Sequence, residues 1–137
     1  MWYCSQGMDR ENALISIRPR IPHIETETTG KEVLHFQNTV LRQVIKFQHD
    51  LILDIFRQFL RVRKINLNDL DFETRKLKIQ QVFLKEKVLK ASLEGIIIGH
   101  FTVVEYALFC VHEQEIRKRI RDIIKQRIWD SMEELFE

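Results

Sequence analysis

The stretch GIIIGHFTVVEY, Gly95 to Tyr106, holds the grouping of side chains best suited to acid–base chemistry. His100, Glu105 and Tyr106 fall within it, amid isoleucine, valine and phenylalanine. A glutamate at the start of a buried helix has a shifted proton affinity, and a neighbouring histidine can relay the proton. The same residues also fit a structural role, which is the preferred expectation. Gly99 suits a helix end, where positive φ costs glycine least. Thr102-Val103-Val104-Glu105 fits a capping box: the threonine oxygen accepts from the N3 amide, and the glutamate reaches back to the threonine amide. Neither a glycine-rich phosphate loop nor a metal triad accompanies them.

Other constellations are weaker. Glu32-x-x-His35 matches half of a di-iron site, which needs a second such motif and two further glutamates. No second motif exists, and His35 and His49 would lie about 21 Å apart along one helix. Both histidines are expected to be exposed, with no metal and no cofactor. Gln48 falls by helical phase inside an apolar stripe, so a structural hydrogen bond is expected there ahead of a ligand contact. Ala91 and Gly95 have the spacing of a DNA-binding helix-turn-helix. The helix that follows would offer Val103, Val104, Tyr106, Ala107 and Leu108, which cannot read base edges.

The run EIRKRIRDIIKQR carries Arg117, Lys118, Arg121 and Lys125, the residues that would track a phosphate backbone. Glu113, Glu115, Asp122 and Asp130 interleave with them, so a solvated face with intrahelical ion pairs is expected. Any nucleic-acid binding would then be weak and independent of base sequence. Arg127 points closer to the apolar stripe than the others and should be a buried charge paired with a carboxylate.

These side chains need helices to position them. Residues 1–30 hold both prolines and show no helical period. They predict an extended or disordered arm, with Ile15, Ile17, Ile21 and Ile24 available to pack it. Met8 is a possible start, making residues 1–7 an upstream extension. From residue 31 to about 61 a wide apolar stripe predicts one long helix, with Leu53 and Leu60 on its far side as interface candidates. Residues 71 to about 95 predict a second helix, or two if KEKVLK holds a break. A third helix starts at Val103; it is nearly all apolar and is expected to be buried, with Cys110 as a small core residue. A last helix runs from about 113 to 134 on Ile116, Ile120, Ile123, Ile124, Ile128 and Leu135. The fold class is all-α: a compact bundle of four to five helices over residues 31–137, with one long N-terminal helix.

Bulk composition narrows the function. The 137 residues suit one domain, and 22 basic against 20 acidic residues give a net charge of +2, which singles out no acidic partner. Cys4 and Cys110 form no metal spacing and no disulfide framework. No run is apolar enough to span a membrane and no leader is evident, so no membrane partner and a cytoplasmic location are expected. The first expectation is a non-enzymatic protein acting through protein contacts, with itself as the chief partner. The alternatives are a nucleic-acid-associated protein using the basic face, and an enzyme or small-molecule binder at His100, Glu105 and Tyr106.

Three segments, LHFQNTVLRQVIKFQHDLILDIFRQFL, EGIIIGHFTVVEYALF and RKRIRDIIKQR, together resemble a group of small helical bacterial proteins sometimes labelled glyoxalase. The resemblance covers roughly residues 34–130. That label implies repeated βαβββ units with metal ligands on strands, and this sequence carries the pattern of neither. The group implies no catalytic residues for this chain.

Overall fold

The computed structural model describes residues 9–21 and 32–136. Among these, every regular element is a helix and there is no strand. A short helix α1 (Arg10–Ser16) comes first. Then follow α2 (Glu32–Phe36), a π-helical turn (Gln37–Leu41), α3 (Arg42–Phe47) and α4 (His49–Val62). The rest is α5 (Phe72–Lys85), α6 (Lys87–Ile98), α7 (Val103–Val111), α8 (Glu113–Asp130) and α9 (Met132–Leu135).

α8 is the element against which most others pack. Ile116, Ile120, Ile124 and Ile128 recur every four residues and are fully buried. That spacing lines them along one side of a helix. Each such burial contributes roughly 1.5–3 kcal/mol. The row meets α3, the π turn, α5, α6 and α7. Phe36, Phe56, Phe101 and Phe109 complete the core, and Phe36 meets Phe101 edge-on at 5.3 Å.

The expected single helix over 31–61 is helical from Glu32 to Val62 but is divided twice. At Gln37–Leu41 the turn widens, and the amide of Arg42 donates to the carbonyl of Gln37. Thr39 Oγ1 donates to the His35 carbonyl at 2.8 Å, a back-bond that competes with regular α-helical pairing. At Gln48 the backbone leaves helical values, with φ −91° and ψ 10°. Its side-chain amide donates to the Ile96 carbonyl at 3.2 Å, tying α6 to this break.

Several expectations need correction. Leu53 and Leu60 do not stand away from the core: both are buried under other helices of the same chain, which removes their case as an interface. The segment around Asp9 to Ile17 is not an extended arm. It forms α1, because the Asp9 carboxylate accepts from the Asn12 amide and caps the helix. Ile15 and Ile17 are exposed rather than packed, and Ile24, like Cys4, lies outside the described residues. Residues 72–98 form two helices. The break is at Glu86 (φ −91°, ψ 90°), whose carboxylate is held by Arg63 at 2.8 Å. The last helix stops at Ser131 and restarts as α9.

The two glycines of the opening stretch also differ from expectation. Gly99 does end α6, but with φ −61°, so no left-handed conformation explains it. A Cβ there would sit 3.2 Å from the Gly95 carbonyl oxygen, the acceptor of its own amide, a tight contact at an exposed position. A Cβ on Gly95 would meet nothing within 4 Å, although the residue is mid-helix. Gly95→Ala should therefore raise stability by about 0.5–1 kcal/mol in chemical denaturation. A loss of stability would show that the open space beside Gly95 is in use.

Candidate functional site

The stretch from Gly95 to Val111 is fixed by charge before it is fixed by apolar contact. Thr102 caps α7: its Oγ1 accepts from the Glu105 amide at 3.1 Å, and Glu105 Oε1 accepts from the Thr102 amide at 2.9 Å. The capping box is thus complete. The Glu105 carboxylate has a second task. Arg18 grips it with both terminal nitrogens, each at 2.7 Å, and also donates to the His100 carbonyl at 2.7 Å. The Arg18 side chain is only 6% exposed. A forked guanidinium on a carboxylate is among the stronger and more directional contacts available to a side chain.

Neighbouring residues extend the strap. Arg10 donates to the Gly99 carbonyl at 3.1 Å, and the Val103 amide donates to the Glu11 carboxylate at 3.1 Å. Glu11 therefore satisfies a free amide at the α7 N-terminus, where negative charge is favourable. The described N-terminal segment is seated by Arg10, Glu11 and Arg18, while Ile15 and Ile17 stay exposed.

These contacts separate the three acid–base candidates. Burial alone would push the Glu105 carboxyl up. Hydrogen bonds from Arg18 and the Thr102 amide, with the Arg18 charge, outweigh it and hold the group below the usual carboxylate range. Burial lowers the affinity of His100 for a proton, and the charges of Arg18 and Arg10 lower it further. The His100 ring packs on Phe47 at 5.3 Å. Tyr106 is exposed and lies beside Phe109 and Cys110, with the cysteine pushing its phenol pKa up. So Glu105 is an engaged anion, and the other two candidates meet different partners.

With Glu105 turned inward, the outer side of α7 is left apolar. Val103, Val104 and Val111 are 69%, 79% and 72% exposed, and Ala107 and Cys110 are exposed beside them. Only Phe109 is buried. The expectation of a buried α7 and a buried Cys110 is therefore wrong. Ordinary amphipathicity is inverted here: the helix's one charged residue faces in and its valines face out.

The basic ridge resolves differently. Arg117 and Arg121, one helical turn apart, both reach the buried carboxylate of Glu94, at 2.7 and 3.2 Å. The hydrogen bond to Glu94 is the main cause that holds Arg117 more firmly charged than usual. Lys118 and Lys125 both approach Asp122, at 2.9 and 3.9 Å, and Lys125 also lies over the Trp129 ring. All four expected phosphate contacts thus have a carboxylate partner. Glu94 escaped the sequence reading, although it carries the one formal charge between Lys90 and Glu105. Arg127 is half-buried rather than buried, and its close contact is His49 Nδ1 at 3.1 Å rather than a carboxylate.

Comparison with protein-family profiles, with curated proteins and with solved structures finds no match.

Among the described residues no three of His, Cys, Asp or Glu are grouped so as to hold a metal ion, and no helix is long and apolar enough to cross a membrane. Glu32 approaches His112 Nε2 at 3.2 Å. His35 and His49 are both partly buried, so neither is fully exposed as expected.

The Arg18–Glu105 contact sets an order for three substitutions. Thr102→Ala should cost about 1 kcal/mol, as for a lost N-cap. Glu105→Gln should cost more, about 2–3 kcal/mol, because it strands a buried guanidinium. Glutamine can still serve the cap, so an equal or smaller loss would show that the ion pair contributes little. The pH dependence follows from the lowered folded pKa. The stability that Glu105 supplies is full above the ordinary carboxylate range and is lost as pH falls through the folded value. The gap between wild type and Glu105→Gln should therefore close on acidification, measured by urea unfolding at a series of pH values.

Proposed function

We propose that the protein acts through protein contact, by pairing with a second copy of itself across the outer face of α7. One observation carries this reading: the exposed face made by Val103, Val104, Ala107 and Val111 contains no charged residue. Apolar exposed faces of this kind mark contact sites. A neutral face offers nothing to a partner chosen by charge. It is complementary to itself, as a two-fold interface requires. Ala107, central in the face, allows two helices to approach closely.

The size of the face sets the strength. A pair of such helices hides on the order of 500 Å² per copy, close to the lower bound for a specific contact, so the pairing is weak and reversible. The other exposed apolar side chains serve less well. Leu77, Leu84 and Val88 are exposed along α5 and α6, but Lys78, Lys85 and Lys87 lie among them. Two copies brought together there would oppose like charges.

The test is molar mass by light scattering between about 1 and 100 µM. Wild type should pass from monomer toward dimer across that range. Ala107→Glu should remain monomeric with an unchanged unfolding midpoint, since residue 107 is exposed. A wild-type chain that stays monomeric at the upper concentration, or a variant that pairs as well, sinks the reading.

A further inference from the structure

A cavity of about 730 Å³ lies between the π turn and the outer side of α8. Its size is that of a small-molecule site. Of the side chains around it only Ile123 is apolar. Four are cations: Arg42, Lys118, Arg119 and Arg127. Three are carboxylates: Glu115, Asp122 and Asp130.

The ion pairs divide these charges unevenly. Arg119 is bound to Glu115 at 3.1 Å, and Lys118 to Asp122 at 2.9 Å. Asp130 accepts from Gln126 at 3.0 Å. Among the described residues Arg42 and Arg127 have no carboxylate within ion-pair distance. Arg42 donates to Asn38 Oδ1 at 3.3 Å and Arg127 to His49 Nδ1 at 3.1 Å, neither of them a carboxylate. A guanidinium carries five N–H donors and no acceptor, so each has donors to spare.

The π turn is the device that brings the wall together. In an α-helix, residues five apart point about 140° away from each other. The five-residue π turn Gln37–Leu41 narrows that angle between Gln37 and Arg42, and both residues line the cavity. Gln37 Oε1 in turn accepts from Arg119 Nη1 at 2.7 Å and holds that guanidinium at the cavity wall. Burial is the main cause that weakens proton binding at Arg127; the Asp130 carboxylate opposes it, and the like charge of Arg42 on the same wall adds to it, a cost to both cations. An anion between them removes that cost.

We propose that this cavity binds the oxyanion group, phosphate or carboxylate, of a small molecule, with Arg42 and Arg127 as its cationic ligands. The guanidinium fork suits either group. Of the two, Arg42 is exposed and Arg127 half-buried, so Arg42 is the residue to change without disturbing the fold. Lys46, exposed on the same helix and outside the cavity lining, is the control.

The experiment is a calorimetric titration of the full chain with inorganic phosphate, and separately with succinate, at low constant ionic strength. Saturable binding of at least one anion is expected, weakened tenfold or more in Arg42→Gln and by less than about twofold in Lys46→Gln. The anion that binds more tightly names the group the site takes. Absence of saturation for both up to ~20 mM, or equal weakening in the two variants, overturns the proposal. The site lies on α8 and the π turn, away from the outer face of α7, so the dimer variant Ala107→Glu should bind the anion like wild type. That separates failure of this site from failure of the pairing.

Discussion

Four isoleucines spaced by four residues hold this molecule together. Ile116, Ile120, Ile124 and Ile128 form a continuous buried edge, and α3, the π turn, α5, α6, α7 and α9 all pack on α8. The opposite edge of α8 is charged, yet it is not simply a solvated face. Arg117 and Arg121 turn back to a buried glutamate, Arg119 to a glutamine on the π turn, and Arg127 to a histidine on α4. The apolar edge supplies burial, and the cations fix rotation and register. A helix held by isoleucines alone could slide by one turn at little cost; two arginines sharing one carboxylate oppose that slide.

The same division of labour explains α7. A helix without a stripe has no preferred inner side. Glu105 gives it one, because a carboxylate accepting from Arg18 twice and from the Thr102 amide cannot face outward. The valine side is exposed as a result. A polar contact thereby decides which apolar surface reaches solvent.

How legible this was depended on whether the deciding signal was periodic. The isoleucine row of α8 repeats, and it was readable. The Thr102–Glu105 box has a fixed offset and was readable too, as was the possible break within KEKVLK. What escaped was long-range and unpatterned. Arg18 lies 87 positions from its partner, and nothing near it marks it as buried. Glu94 could have been noticed as an isolated charge in an apolar run, but its partners sit on another helix. For α7, apolar composition was mistaken for burial, when composition says how much surface is apolar and not where it faces. At Gly99 the glycine suggests dihedral freedom, yet the backbone there has ordinary right-handed helical values. The π turn left no signal of its own, since the threonine hydroxyl bonded one turn back within it is common in ordinary helices.

The strap has a consequence for the order of events as the chain folds. Arg10, Glu11 and Arg18 precede almost everything they bind, and their partners lie between Gly99 and Glu105. Closing so large a loop is entropically costly, and contacts of this separation slow folding. On a chain made from its N-terminus, Arg18 emerges before α7 and waits until that helix is complete. Until then Glu105 has no guanidinium, and nothing prevents α7 from rolling its valines inward. The surface that faces solvent in the finished molecule therefore depends on a contact that spans 87 positions of the chain.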